Sequence, residues 1–401
     1  MQELALATPE AAPEAAALAE TVTAKPAAIV VGVGDVAVYG LDGAERLRRQ
    51  LRRAGLTEVQ HTTDGSFDAV QADTVVVLRA DHAFEEPLFP DLVKRNGIAL
   101  LAEDSGRPAA LHVSARDAAK AVRLLLDGGD VPEDLEVTAL DASGLSGSYN
   151  KQLRKRATFY VLRVTKENRG ALEKRIFAGS YKGVTDIVSK FVWPFPARHV
   201  TSFLSRFGVT PNMVTTVGFV LVLVAFWCFW QGRYAEGLIA GWIMTFLDTV
   251  DGKLARVTMT SSRFGDIFDH SIDLIHPPFW YWAWIHGLGP EANADPASDV
   301  LFAVILAGYV LQRLQEGFFI KVFKIEMHIW RPFDSYFRTI TARRNPNMVI
   351  LTVLLLAGRP DVGIYAVGVW TAACLVIHTL QIVQAGWVRR SGAPIRSWLA
   401  G

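Results

Sequence analysis

Disulfide bonds have almost nothing to form from in this chain of 401 residues. Its two cysteines, Cys228 and Cys374, both fall inside apolar runs. A cross-linked framework is therefore excluded, and the two thiols read as small core residues. Net charge is nearly absent too, at +1 with the histidines neutral, so no overall basic excess argues for a nucleic-acid partner. The N-terminus is acidic and rich in alanine and proline, without the basic region of a secretory signal. Residues 1–26 offer few large apolar side chains to bury and are expected to be a disordered tail.

Apolar residues are plentiful: 51% of the chain is hydrophobic and 20% charged. Six apolar runs lie near 212–231, 234–252, 265–288, 299–320, 346–360 and 362–386. Each is about long enough to cross ~30 Å of hydrocarbon, which predicts a six-helix transmembrane bundle over 207–390. The connecting loops alternate in charge. Lys253, Arg256 and Arg263 follow the second run, and Lys321, Lys324, Arg331, Arg338, Arg343 and Arg344 follow the fourth. The other side has Arg233, Arg359 and the acidic stretch Glu291–Asp299. Positive loops stay inside, so both termini are expected in the cytoplasm of a multi-pass inner or plasma membrane protein, with 391–401 as a cytoplasmic tail. Pro277-Pro278 should kink the third span, and Phe279, Trp280, Tyr281, Trp282 and Trp284 read as a packing and interfacial belt.

The first half differs. Apolar runs at Ala28–Val33, Thr74–Leu78 and Gly97–Ala102 alternate with helical patterns at Ala44–Ala54 and Arg116–Leu126. The alternation predicts a soluble α/β domain with a largely parallel sheet over 27–145. Gly32-x-Gly34-x-x-Ala37 is too short for a dinucleotide motif, and no acidic strand end follows at the required distance. From Lys151 to Arg206 the chain turns basic, with only Glu167, Glu173 and Asp186 as acids and with apolar side chains interspersed. Residues 146–206 are read as a linker and juxtamembrane amphipathic helix that meets membrane lipids, with a solvated linker as the alternative.

Four carboxylates stand out: Asp248-x2-Asp251-Gly252-x2-Ala255-Arg256-x8-Gly265-x3-Asp269-x3-Asp273. Spacings of three and four put each pair on one face of its own helix. An ionised carboxylate at membrane depth costs roughly 2.5–3.5 kcal/mol, so four need a strong counter-charge. Hard divalent cations, which take oxygen ligands and leave positions for phosphate, supply one. Asp248, Asp251, Asp269 and Asp273 are the predicted metal ligands. Asp273, deepest in its span, is the predicted catalytic general base. Gly252, Ala255 and Gly265 leave room for a nucleotide and for close helix approach, and Arg256 can grip a phosphate. His270 and His276 read as core histidines. Arg343, Arg344 and Arg313 are candidate acceptor-binding residues, with plain positive-inside anchoring as the rival reading.

This pattern resembles the signature of the CDP-alcohol phosphotransferase family at every fixed position, and Thr210-Pro211-Asn212 resembles the segment leading into that family's first helix. The resemblance covers roughly 200–390. It implies transfer of a phosphoalcohol from a CDP-alcohol donor to the hydroxyl of a polyol phosphate or lipid acceptor, with release of CMP. It also implies Mg²⁺, two ions, or Mn²⁺ in its place, Asn212 among the nucleotide-binding residues, and a homodimer. Tyr39-Gly40, Arg46-Leu47, Arg53-Ala54-Gly55-Leu56 and Ala80-Asp81-His82 resemble a sugar-type nucleotidyltransferase domain, but its phosphate-gripping loop is missing and only Asp81 stands where a metal-binding carboxylate would. The pairing of the two parts resembles the bifunctional CDP-inositol and di-inositol phosphate synthesis proteins, with a degenerate, non-catalytic first domain. Two other classes fit parts of the chain: a membrane-anchored nucleotidyltransferase working through Asp81, and a non-catalytic membrane scaffold or transporter.

Overall fold

Strand β1 (Ala27–Val31) opens a six-stranded sheet because its side chains have somewhere apolar to go on both faces. Ala28 and Val30 enter one core with Leu47, Leu51 and Leu78, while Ile29 and Val31 enter another with Val75, Val77 and Leu125. Burial on both faces is what an uninterrupted apolar strand encodes. The computed structural model describes residues 25–146, 149–150, 155–156 and 159–399, so nearly all of the expected tail lies outside the described residues.

The described residues fall into two compact units that part between Gly179 and Ser180, with residues 155–156 counted in the second. In the first, β1 is joined by β2 (Val59–Thr62), β3 (Thr74–Arg79), β4 (His82–Phe84), β5 (Ile98–Leu101), β6 (Pro108–Ser114) and β7 (Thr138–Leu140). The sheet order is β2-β1-β3-β6-β5-β7. β1 runs parallel to β2 and β3, β5 runs parallel to β7, and β6 is antiparallel to both of its neighbours. Helices α1 (Gly43–Arg53), α2 (Phe89–Lys94) and α3 (Ala118–Asp127) flank it. The expected strands and helices stand within a few residues of their predicted places. β2, β6 and β7 were not expected, because Val59–Thr62 is polar and Pro108–Ser114 begins with proline and alanines.

The basic linker expected over 146–206 is divided between the units. Strand β8 (Val161–Arg163) pairs antiparallel with β4, and α4 (Arg169–Gly179) ends the first unit. Val161 and Phe177, hidden in the sequence among lysines and arginines, are both buried, and Val161 joins the core that holds Ala28 and Leu47. Beyond it, α5 (Ile187–Phe191) and α6 (Pro194–Arg206) supply the amphipathic piece. Ala197, Thr201 and Ser205 are buried at four-residue intervals, while Phe195 and Phe203 are exposed.

The second unit continues with α7 (Pro211–Trp230), α8 (Tyr234–Val257), α9 (Arg263–His286), α10 (Pro296–Phe323), α11 (Pro332–Phe337), α12 (Arg344–Leu356) and α13 (Pro360–Arg390). Helices occupy all six expected positions. Three of them, α7, α10 and α13, are long and apolar enough to cross a membrane. The carboxylates and basic residues keep α8 and α9 out of that class. α12 has 13 residues, or about 20 Å of rise, because Ala357 and Gly358 stop it short of the predicted end. α9 continues through Pro277-Pro278. Small residues let the helices meet: a Cβ on Gly308 of α10 would lie 2.5 Å from Thr371 Cγ2 of α13.

Candidate metal centre

Asp248 and Asp251 sit one turn apart on α8, and Asp269 faces them from α9. One carboxylate oxygen from each of the three lies within 4.8 Å of the others. Asp251 is 4% exposed. Its Oδ2 accepts a 2.5 Å hydrogen bond from Thr215 Oγ1 on α7, while its Oδ1 is buried without a hydrogen-bond partner among the described residues. A buried carboxylate oxygen with no donor is costly by itself. Carboxylate oxygens of three aspartates within 4.8 Å of one another fit a hard dication, whose coordination shell consists of oxygens. The residues present therefore suit Mg²⁺ or Mn²⁺.

Asp273 is not part of that trio. Arg344, in the first turn of α12, forks between the helices: Nη2 donates to Asp248 Oδ2 at 2.5 Å and Nη1 donates to Asp273 Oδ1. The arginine proposed for an acceptor thus rests on the acids instead. Arg256 is also turned elsewhere. Its Nη1 donates to the Ser180 carbonyl at 3.0 Å, which Lys253 Nζ approaches to 3.2 Å, the ammonium lying 3.5 Å from the centroid of the Tyr181 ring. Gly265 meets Asn212 closely; a Cβ there would be 2.5 Å from Asn212 Oδ1. Beside Gly252 there is open space. Ala255 is half-buried. His276 is buried against Trp280 with Nδ1 2.6 Å from the Ile272 carbonyl, and His270 Nδ1 lies 2.8 Å from the Asp266 carbonyl.

Arg343 and Arg313 converge on Glu316 of α10, not on the aspartates. Arg343 Nη2 donates to both carboxylate oxygens and Arg313 Nη1 lies 3.5 Å away. His328 Nε2 is 3.3 Å from Glu316, and His378 completes a second group of converging ligand atoms. Asp186 holds the start of α12. It caps α5 through Val188 N and Ser189 N, and its Oδ1 accepts from Asn345 Nδ2 at 3.0 Å. Burial pushes the Asp186 carboxyl up, but the hydrogen bonds from Ser189 and Asn345 outweigh it and hold the group below its ordinary value. Sequence reasoning missed Thr215, Glu316, His328 and His378. Glu316 alone carried a signal, as an acid inside an otherwise apolar run.

Asp81 in the first unit is occupied. Arg79 donates to both of its oxygens at 2.9 Å, Arg163 reaches Oδ2 at 3.1 Å, and His82 Nδ1 lies 2.7 Å from Oδ1. Burial pushes its carboxyl up, and the bonds from His82 and Arg79 bring it well below the usual range. The Gly32–Gly34 turn is closed by backbone: a Cβ on Gly34 would lie 2.4 Å from the Ala80 carbonyl oxygen.

Residues 208–397 match the CDP-alcohol phosphatidyltransferase family. The second unit carries a domain of that family. Within it, the chain is similar to archaetidylinositol phosphate synthase of Pyrococcus horikoshii, 38% identical over 79 residues, which make up 20% of this chain and 42% of that protein. It is also similar to phosphatidylinositol phosphate synthase of Streptomyces avermitilis, 32% identical over 93 residues, 22% of this chain and 38% of the relative. The chain thus spans less than half the length of these curated relatives. Among solved structures it is similar to Mycobacterium tuberculosis phosphatidylinositol phosphate synthase with CDP-DAG bound, at 18% identity and a TM-score of 0.37, covering 46% of this chain and 92% of that one. The family matched is the one that the aspartate spacing resembled.

Proposed function

We propose that the chain is an integral membrane transferase that moves a phosphoalcohol from a CDP-alcohol donor to an acceptor hydroxyl and releases CMP. The observation that carries this is the convergence of Asp248, Asp251 and Asp269 from two helices, with one buried oxygen of Asp251 left for a ligand. Bound there, Mg²⁺ would neutralise the donor pyrophosphate and polarise the phosphorus that is attacked. The protein's own contribution is placement. Thr215 fixes the orientation of Asp251, and Gly252 leaves the nucleotide free space. Asp273, released from Arg344, accepts the proton of the attacking hydroxyl. Arg343 and Arg313, with their charge only partly offset by Glu316, favour an acceptor that carries a phosphate.

We read the second unit as six passes with both termini in the cytoplasm and the exposed phenylalanines of α6 in the interface, and the active species as a homodimer. The donor is made elsewhere. Asp81 is already neutralised by two arginines, and the Ala80 carbonyl, itself a hydrogen-bond acceptor, fills the notch where a phosphate-binding loop would need donors. The full-length protein in detergent, given Mg²⁺, CDP-alcohols and candidate acceptors, is expected to release CMP, and Asp269→Asn to abolish it. Absence of CMP with every CDP donor refutes the proposal.

A further inference from the structure

We propose that Arg344 is the resident counter-ion of the carboxylate centre and that it leaves Asp248 and Asp273 when a dication takes the site. The inference rests on the metal-binding part of the reading above and concerns this chain's own residue. Asp248 serves two partners. Its Oδ2 receives Arg344 at 2.5 Å, and the same carboxylate belongs to the trio whose oxygens lie within 4.8 Å of one another. A guanidinium and a dication on one carboxylate repel each other, and the Arg344 side chain, only 13% exposed, has little water to screen it. The two cations therefore compete.

Without a dication, four acids in an apolar bundle need a positive partner. The nearby basic residues Lys253 and Arg256 are on the Ser180 carbonyl instead. Arg344 fills the gap because its planar fork reaches α8 with one nitrogen and α9 with the other, tying the two helices as a bridging ion would. Its hold is partial: Nε is buried without a partner among the described residues. The residue sits in the first turn of α12, so side-chain rotation alone moves the guanidinium off the acids. Its departure frees an oxygen of Asp273 for the acceptor's proton.

The test uses full-length protein in detergent, titrated with Mn²⁺ while free Mn²⁺ is read by electron paramagnetic resonance, with unfolding temperatures taken in EDTA and in saturating Mg²⁺. Arg344→Gln removes the competitor, so Mn²⁺ binding is expected to tighten about tenfold or more. The unfolding temperature is expected to drop in EDTA and to recover in Mg²⁺. Unchanged or weaker Mn²⁺ binding, or an equal drop in both media, overturns the proposal. Arg344→Lys, which keeps a charge but loses the fork, is expected to fall between wild type and Arg344→Gln; it carries the same test if the glutamine variant does not fold. CMP release is scored separately. Tighter Mn²⁺ binding in a protein that never yields CMP sinks the transferase reading and leaves the exchange standing; CMP release with unaltered Mn²⁺ affinity does the reverse.

Discussion

Thr215→Val isolates one hydrogen bond at the proposed metal centre with little change in shape. The hydroxyl has a single proton and two acceptors in reach, the Pro211 carbonyl at 3.1 Å and Asp251 Oδ2 at 2.5 Å. The shorter contact to a charged oxygen takes it. Valine deletes that donor inside a buried environment, which costs about 1.5–3 kcal/mol for a bond to a charged group. Asp251 then loses the contact that fixes its carboxylate plane, and partners of this kind are worth roughly 10–100-fold in metal affinity. The assay is Mn²⁺ titration of wild type and variant at one pH, alongside CMP release at low and saturating Mg²⁺. A large loss at low Mg²⁺ that shrinks at saturation is expected. Mn²⁺ affinity within about twofold of wild type would refute the reasoning, because a positioning bond of this size cannot be silent.

Three further outcomes are expected. Gly308→Val drives a side chain into Thr371, so the unfolding temperature in detergent should fall by an amount matching about 1–3 kcal/mol, as overpacking does; an unchanged value contradicts the α10–α13 contact. His112 is fully buried between the Leu92 carbonyl at 2.8 Å and Thr74 Oγ1 at 3.0 Å, and burial lowers its pKa despite the backbone bonds that favour the charged ring. The unfolded chain then takes up a proton first, so the stability of the first unit is full above an unfolded value of about 6.5 and is lost as pH falls from there toward the folded value. Hydrogen exchange of β3 and β6 amides should report easier opening at acid pH, with the trend gone in His112→Gln. Asp81→Asn should leave CMP release intact while loosening the first unit through Arg79, Arg163 and His82; loss of CMP release with normal folding would return a catalytic role to Asp81.

The aspartate spacing was legible because it is local. Residues three or four apart on a helix share a face whatever surrounds them, so α8 and α9 could be aligned on paper. The buried strands β1, β3 and β5 were legible for the same reason: two-sided burial leaves an unbroken apolar run. Arg344 was not. It lies 96 residues from Asp248 and 71 from Asp273, and its charge predicts which side of the membrane it occupies without saying which partner it meets. Val161 and Phe177 were obscured differently, since a basic composition outweighed the few apolar residues that decide where that segment packs. Thr215 has no signature at all; only the approach of α7 to α8 makes it a donor to Asp251.

The brevity of α12 has a topographic effect. A rod of about 20 Å cannot fill a slab of ~30 Å, so roughly a third of the depth beside it is left to loop and polar side chains. The helix gives up that depth at its Ala357–Gly358 end, where the predicted run continues to 360.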